Sequence, residues 1–314
     1  MFLLSETLLV YLLFVFGIIL IVKGGDMFVD AASWIATVSG IPKFIIGATI
    51  VSVATTLPEL LVSVFASLDG KVDMAVGNAV GSVTANIALI LAVSIIFLPC
   101  KVDRKNLFVK GGIMIISSAL LICLSISGAL NFYSSFILLF LFALFIFENI
   151  KAAVNDKSKV YIEKKNVLLN VIKFIAGALG IVFGADLLVK KGSVIASMLG
   201  VSESIIGVTV IAIGTSLPEL VTAVTAIVKK ESSLSVGNIL GANIIDLTLI
   251  LPLCSLVYGG SLPVNRQSIL IDMPVCLVVS LIAVIPALLS GKFKRTTGLV
   301  LIVIYTIYMG VLCL

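Results

Sequence analysis

The sequence predicts an all-α polytopic membrane protein with ten transmembrane helices, arranged as two inverted five-helix repeats. Three observations support this prediction. The 314 residues are 61% hydrophobic and only 12% charged, whereas soluble domains carry about 25% charged residues. Apolar runs of about 20 residues, the length that a helix needs to cross a bilayer, recur along the chain. Finally, the second half of the sequence repeats motifs of the first half.

Each predicted span is an apolar run bounded by polar or turn-forming residues. The ten spans are predicted at 5–22, 44–67, 72–98, 107–127, 132–150, 166–189, 204–228, 233–257, 267–289 and 295–313. The amphipathic stretch from Lys23 to Lys43 is expected to continue the first span as a tilted or interfacial helix. The first apolar run follows no basic segment and precedes no small-residue cleavage site, so we expect it to be retained as a span.

The distribution of lysine and arginine predicts the orientation. These residues concentrate in the segments that an extracellular N-terminus would place inside the cell, and positive charge marks cytoplasmic loops. Both termini are therefore expected outside the plasma membrane. The first repeat is predicted at 1–150, a cytoplasmic linker at 151–165 and the second repeat at 166–314. The chain has no histidine, and its five cysteines show no metal or redox spacing, which excludes imidazole metal sites and histidine-based catalysis.

The two halves align without gaps at an offset of 160 residues. The segment "IIGATI" at Ile45 recurs as "IIGVTV" at Ile205, and "TLPEL" at Thr56 recurs as "SLPEL" at Ser216. Because each half holds five spans, the second copy must enter the membrane upside down. Inverted repeats are common in secondary transporters, whose substrate sites lie near the bilayer midplane between the copies. Asp26 also recurs, as Asp186, and is interpreted as a structural residue near a membrane interface.

A glutamate lies inside an apolar span in each half, at Glu59 and Glu219. A charged side chain at the bilayer centre costs about 3 kcal/mol or more, so it must face a partner, a cavity or an ion. A buried protonated acid is the structural alternative. Since no basic residue is predicted at similar depth, a divalent cation is the obvious source of compensating charge.

A proline precedes each glutamate, at Pro58 and Pro218. Proline removes a helical hydrogen bond and displaces the carbonyl four residues earlier, and irregular backbone at membrane depth survives only inside protein or beside water. A simple kink is the alternative interpretation. Hydroxyl residues precede the prolines at Thr55, Thr56, Thr215 and Ser216. Carboxylate, carbonyl and hydroxyl oxygens suit Ca²⁺ or Na⁺ better than zinc or copper.

A second polar stripe follows in the next span of each half. Its members are spaced by four residues, so they share one helix face; they are Asn78, Ser82 and Asn86 in the first half and Asn238, Ala242 and Asp246 in the second. Asn86 and Asp246 lie deep enough to face the same centre as the glutamates. The glycines that accompany the stripe favour close helix packing, which is their structural interpretation.

The pairing of "GTSLPEL" with "GNILGANIIDL" resembles the alpha-repeats of the sodium/calcium exchanger superfamily of cation antiporters, in a prokaryotic-type ten-span form. The resemblance covers most of the chain. It implies that Glu59 and Glu219 bind Ca²⁺ and share in Na⁺ binding, and that the first and sixth spans slide against the bundle to give alternating access. It further implies an ion site made of hydroxyls, backbone oxygens and polar side chains from Thr55, Thr215, Asn86, Asp246, Ser82, Thr56, Ser216, Ser52 and Ala212.

Two features depart from the family pattern. Ala242 stands where sodium-exchanging members often carry a hydroxyl, which removes one candidate Na⁺ ligand. The first repeat reads "ATTLPEL" where the second reads "GTSLPEL", so its backbone is less free. Asp246, opposite Asn86 in the repeat, resembles the potassium-dependent exchangers and several prokaryotic ones. The predicted function is antiport of Ca²⁺ against Na⁺ by alternating access, with H⁺ coupling or K⁺ dependence as alternatives and a cation channel as a more distant one. We predict no enzyme activity, no cofactor, no nucleic-acid partner, and a monomer in the lipid bilayer.

Overall fold

The computed structural model describes residues 2–155, 167–199 and 216–312. Most of these residues are helical, and two three-residue strands, β1 (Ala129–Asn131) and β2 (Ser261–Pro263), pair antiparallel at one end of the bundle. The helices are α1 Phe2–Ser39, α2 Lys43–Thr55, α3 Leu57–Leu68, α4 Val72–Phe97, α5 Arg104–Ser125, α6 Phe132–Asn155, α7 Val167–Met198, α8 Leu217–Val228, α9 Ser232–Val257, α10 Ser268–Ser290 and α11 Arg295–Leu312.

Apart from α1 and α7, which extend well beyond spans 5–22 and 166–189, and α6, which ends five residues late, the described helices match the predicted spans to within a few residues. Eight of them are long and apolar enough to cross a membrane, and α2 and α3 form a ninth candidate that is bent by 45°. The predicted span 204–228 is described only as α8, and its first part lies outside the described residues. Helix α6 extends to Asn155, so the beginning of the predicted linker is helical. The predicted all-helical, multi-span class is therefore confirmed.

Helix α1 is longer than the predicted span 5–22. Helix α1 runs without a break to Ser39, so the stretch after Lys23 continues the first span within one helix, as the sequence predicted. Helix α1 packs along α7 in an antiparallel direction. Increasing residue numbers on α1 meet decreasing numbers on α7, because the facing pairs are Gly17 with Gly184, Gly24 with Gly177 and Phe28 with Phe174.

This helix pair can approach closely because glycines line the crossing. A Cβ added at Gly24 would lie 2.9 Å from the carbonyl oxygen of Gly177, which is closer than real contacts allow. Large apolar side chains such as Leu12, Phe16 and Phe183 remain exposed on the pair. Exposed apolar surface of this extent on a membrane protein is the surface that lipid covers.

The centre of the bundle is formed by α4 and α9. In their most apolar stretches 67% and 83% of the residues are buried, against 17% for α6 and α7. Helix α9 lies against α2 at very short range: a Cβ at Gly241 would stand 2.6 Å from the carbonyl oxygen of Ala48. The second half of the chain therefore packs directly on the broken span of the first half.

The central helices depart from regular α geometry at equivalent positions. Helix α2 ends at Thr55 and α3 begins at Leu57, so Pro58 lies in the first turn of α3, where its missing N–H leaves no hydrogen bond unmade. Helix α8 begins the same way at Leu217. π-helical turns occupy Asn86–Leu91 in α4 and Asp246–Ile250 in α9. These turns begin 160 residues apart, and π-turns of this kind are frequent at functional sites.

Candidate functional site

Three carboxylates lie buried at the centre of the bundle. Glu59 is in the first turn of α3, Glu219 is in the first turn of α8, and Asp246 begins the π-helical turn of α9. Each is at most 1% exposed. Glu59 interacts electrostatically with both Glu219 and Asp246. Two of these acids therefore lie in the first turns of α3 and α8, where the positive end of a helix dipole favours negative charge, and they form one cluster with the third.

Five of the six carboxylate oxygens in this cluster have no hydrogen-bond partner among the described residues. They are both oxygens of Glu59, both of Asp246 and Oε2 of Glu219. Buried carboxylates in proteins are normally paired or hydrogen-bonded because an isolated buried charge is costly. Buried carboxylate oxygens without a protein partner are what a cation-binding site is expected to contain.

Hydroxyl groups from the first half reach across to the second half. Thr56 Oγ1 lies 3.5 Å from Glu219 Oε1, and Thr55 Oγ1 donates to Asn238 Oδ1 at 3.2 Å. Both threonines are 2% exposed. The predicted hydroxyl residues of the first half are thus beside a carboxylate of the second half, as the sequence symmetry requires.

The carbonyl oxygen of Ser52 is already in use. It accepts the backbone N–H of Thr56 at 2.9 Å and the hydroxyl of Thr56 at 2.6 Å, and the hydroxyl oxygen of Thr55, which donates to Asn238, lies 3.3 Å away. Serine and threonine side chains often bond to the carbonyl one turn earlier. If Ser52 contributes its carbonyl to a cation, as the resemblance implies, at least one threonine hydroxyl must turn away, and that hydroxyl then becomes available as a ligand as well.

Polar side chains of α4 join the same centre. Ser82 and Ser216 are buried, with their hydroxyl oxygens 3.4 Å apart. Asn86 Nδ2 donates to Asn243 Oδ1 at 3.0 Å, while Asn86 Oδ1 has no partner among the described residues. Because its amide nitrogen is engaged, the carbonyl end of Asn86 is free to face a cation.

Nine of the predicted site residues lie among the described residues, and all but Asn86, whose printed contact is Asn243, lie in or beside the cluster of carboxylates and hydroxyls. The remaining two, Thr215 and Ala212, lie outside the described residues. Among the described residues, no group of three or more histidine, cysteine, aspartate or glutamate side chains is compact enough to hold a metal ion by itself. A cation at this centre would therefore need hydroxyl, amide or carbonyl oxygens in addition to the carboxylates. The nine residues are Glu59, Glu219, Thr55, Asn86, Asp246, Ser82, Thr56, Ser216 and Ser52.

Sequence reasoning missed Asn243, which is fully buried and orients Asn86. Its own amide nitrogen lies 3.7 Å from the sulfur of Met114. The repeat offers a signal that could have found it, since the equivalent residue of the first half is Val83. A polar residue that replaces an apolar one at a buried repeat position needs an explanation, and here that explanation is the hydrogen bond to Asn86.

Comparison with known proteins identifies the family. The family model described as "Sodium/calcium exchanger protein" matches residues 9–151 and 169–314. The chain belongs to the sodium/calcium exchanger family. The resemblance that the sequence motifs indicate is therefore confirmed, and this member is a multi-pass membrane protein and a cation antiporter of a transporter family rather than an enzyme family.

Relatives and solved structures cover nearly the whole chain. The exchanger is 30% identical to the sodium/calcium exchanger MaX1 of Methanosarcina acetivorans over 96% of this chain and 98% of that protein. It is 33% identical to the inner membrane protein YrbG of Escherichia coli over 88% and 87%. A solved structure of the sodium-calcium exchanger NCX_Mj, soaked with Na⁺, superposes with a TM-score of 0.85 at 30% identity and covers 97% of this chain and 99% of that one.

Proposed function

We propose that this exchanger moves Ca²⁺ in one direction and Na⁺ in the other, at a single site formed by Glu59 and Glu219. The observation that supports the proposal most strongly is the set of five buried carboxylate oxygens without hydrogen-bond partners among the described residues. Two carboxylates would neutralise one divalent cation, and they lie in the first turns of α3 and α8. Ca²⁺ accepts six to eight oxygen ligands in flexible geometry, which suits a site assembled from several helices.

Na⁺ is the proposed counter-ion because neutral oxygens surround the acids. Thr55, Thr56, Ser82 and Ser216 place hydroxyls within the cluster, and these suit a monovalent cation. Since the same carboxylates would serve both ions, Ca²⁺ and Na⁺ must compete, and one must leave before the other enters. If a turnover carries net charge, each elementary charge is worth about 2.3 kcal/mol per 100 mV of membrane potential.

H⁺ is the alternative counter-ion. Three buried acids from two halves meet in one cluster, and any of them can carry a proton in place of a cation. Asp246 is the residue that most favours this alternative, or a role for K⁺, because the first half has an uncharged Asn86 in its place. Ala242, which contributes no oxygen from its side chain, leaves the site with one hydroxyl fewer than a symmetric pair of stripes would provide.

We further propose that the halves 1–150 and 166–314 are inverted repeats joined by a linker at 151–165. Helices α1 and α7 are equivalent at the offset of 160 residues, and their antiparallel packing is what inversion requires. Sliding of this helix pair against the remaining bundle would expose the site to each side in turn. The distribution of basic residues favours extracellular termini in the plasma membrane, and we propose that the exchanger acts as a monomer.

The test is ⁴⁵Ca²⁺ uptake into proteoliposomes that contain the purified protein. Vesicles loaded with Na⁺ and diluted into Na⁺-free buffer should accumulate Ca²⁺, and dissipating the Na⁺ gradient with an ionophore should stop the uptake. Uptake that needs no Na⁺ and follows a pH gradient instead would overturn the sodium assignment, and uptake that needs no counter-ion at all would indicate a channel.

A matched pair of variants connects the transport to the site. Glu219→Gln removes a buried charge and should abolish uptake. Glu148→Gln removes a partly exposed glutamate that pairs with Lys151 at the end of α6 and should leave uptake unchanged. Wild-type uptake by the Glu219 variant would rule out the proposed site.

A further inference from the structure

Ion pairs and hydrogen bonds connect one end of α1 to the turn between α8 and α9. Lys229 Nζ lies 2.7 Å from a carboxylate oxygen of Asp30 and 3.3 Å from one of Asp26, and it also donates to the backbone oxygen of Asp26 at 3.1 Å. Glu231 lies two residues after Lys229 in the same turn. Its carboxylate accepts a hydrogen bond from Lys43 at 2.6 Å and one from the hydroxyl of Ser33 on α1 at 2.9 Å. Asp26, interpreted from the sequence as a structural residue near a membrane interface, therefore pairs with a lysine that lies 203 residues away in the chain.

The repeat places charges of opposite sign at the same positions of the other half. Asp69 corresponds to Lys229, Lys71 to Glu231, and Lys190 to Asp30, while Asp186 corresponds to Asp26 without a change of sign. At three of these four positions the charge is reversed. When both members of an ion pair change sign, the attraction between them is kept. Asp69 and Lys190, which correspond to Lys229 and Asp30, therefore carry opposite charges and can attract each other in the same way.

The two turns have the same backbone shape, which makes these positions spatially equivalent. Gly70 has φ of 74° and Lys230 has φ of 60°, and left-handed backbone is uncommon for a residue with a side chain. In the first turn the N–H of Lys71 bonds to Ala66 O at 2.8 Å, and in the second that of Glu231 bonds to Ala226 O at 2.6 Å. Asp69 and Lys71 in the first turn therefore occupy positions equivalent to those of Lys229 and Glu231 in the second.

At the opposite end of the α1–α7 pair, near Lys190, the corresponding charged residues form ion pairs within their own helix or turn and not between α7 and the turn after α3. Lys190 pairs with Asp186 one turn earlier on α7 at 2.9 Å, and Asp69 pairs with Lys71 of its own turn at 3.6 Å. Both pairs are well exposed, since the side chains of the four residues are 51% to 68% exposed. Among the described residues, ion pairs thus connect one end of the α1–α7 pair to the turn after α8, whereas the charges at the other end pair locally.

We propose that Lys229 with Asp30, and Asp69 with Lys190, are positioning residues that hold the α1–α7 pair in alternate positions. The first pair forms when the bundle is closed at the end that carries Lys229. The second forms when the pair has slid and the bundle is closed at the opposite end. This inference rests on the proposed alternating access, and it assigns to each closed state its own ion pair.

The expected effects are moderate because these side chains are partly exposed. Ion pairs at such exposure change an equilibrium by about two- to five-fold, and the apparent Kd at one face varies inversely with the fraction of molecules open to that face. Removing the first pair should favour the state that is open at the Lys229 end. Removing the second pair should favour the other state.

The test compares Ca²⁺ half-saturation at the two faces, in right-side-out and inside-out membrane vesicles. Lys229→Gln should lower the half-saturating Ca²⁺ concentration at the face that bears residue 229 and raise it at the opposite face, so that the ratio of the two values changes about two- to five-fold, and Lys190→Gln should do the reverse. Equal shifts at both faces, or none, would overturn the proposal. Glu148→Gln, which removes an ion pair elsewhere on the bundle, is the matched control.

A charge-swapped variant distinguishes pairing from general damage. Asp30→Lys combined with Lys229→Asp reproduces at the first end the arrangement of Lys190 and Asp69, so it should restore wild-type half-saturation at both faces. A double variant that behaves like the sum of its single changes would contradict the proposed pairing.

A cross-linking experiment separates failure of this inference from failure of the proposed function, because it needs no transport. Cysteines are introduced as Asp30→Cys, Lys229→Cys, Asp69→Cys and Lys190→Cys in one chain, which is oxidised and analysed by mass spectrometry of the linked peptides. Each molecule should carry the 30–229 link or the 69–190 link. Molecules that carry both links would overturn the alternation whichever ions are exchanged.

Discussion

Replacing Glu59 by glutamine is the most informative single change at the central cluster. Glutamine keeps the size of the side chain and its oxygen, but it removes one negative charge from a group that is 1% exposed. Neither oxygen of Glu59 has a hydrogen-bond partner among the described residues. The substitution therefore breaks no hydrogen bond of that carboxylate among the described residues. Any change in Ca²⁺ binding should be due to the loss of the negative charge.

The magnitude follows from burial and from the neighbouring charges. An ionised side chain at the bilayer centre costs about 3 kcal/mol on insertion scales. Two like charges a few ångströms apart add about 3–4 kcal/mol of repulsion at an effective dielectric constant of 20. A divalent cation offsets these costs, and losing one carboxylate removes at least about 3 kcal/mol of that gain, which is an affinity loss of about 100-fold. Without Ca²⁺, the variant should be at least as stable as the wild type.

The assay is a thermal melt of the detergent-solubilised protein with chelator and with increasing Ca²⁺. A ligand that binds only the folded state raises the melting temperature with concentration. The wild type should show this rise, and Glu59→Gln should need about 100-fold more Ca²⁺ for the same shift. A variant that responds to the wild-type Ca²⁺ concentration would refute the assignment of Glu59 as a ligand, and a large loss of stability in chelator would show that its role is structural.

Three further predictions concern the surroundings of the cluster. Ala242→Ser restores a hydroxyl that the second stripe lacks, and it should lower the Na⁺ concentration that half-inhibits Ca²⁺ binding; an unchanged value would place residue 242 outside the sodium sites. Asn243→Leu removes the acceptor for Asn86 Nδ2 and should weaken Ca²⁺ binding in a titration about 10-fold, equivalent to about 1.4 kcal/mol. Asn243→Asp, which retains an acceptor, should weaken binding less. Gly241→Ala forces a Cβ to within 2.6 Å of α2 and should lower stability by about 1–3 kcal/mol in a thermal melt, whereas Gly310→Ala, with no described atom within 4 Å of the new Cβ, should not.

The helical spans and the two acids were predictable because their signals are local. Apolar runs define the spans, and a proline followed by a glutamate marks the break at Thr56, where α2 ends and α3 begins. The proximity of Glu59 and Glu219 followed from the repeat, since equivalent positions in inverted halves approach a common centre. Local sequence and symmetry together were sufficient for the position of the candidate site.

Contacts set by long-range packing were not predictable in the same way. The π-helical turn at Asn86 depends on how α4 meets its neighbours, and nothing in its local sequence indicates it. The partner of Asp26 is Lys229, 203 residues away, and not the nearby Lys23. The two hydrogen bonds from Thr56 to the carbonyl of Ser52 likewise follow from the geometry of the helix break, which composition and spacing do not specify.

The central claim is that Ca²⁺ and Na⁺ compete for one site formed by Glu59 and Glu219. It is tested most directly by calorimetric titration of the purified protein with Ca²⁺ at several Na⁺ concentrations, with ionic strength held constant by a bulky organic cation. The account predicts that Na⁺ raises the apparent Kd for Ca²⁺ without changing the number of Ca²⁺ ions bound, and that Glu219→Gln removes the titration signal. A Kd for Ca²⁺ that does not depend on Na⁺ would contradict it.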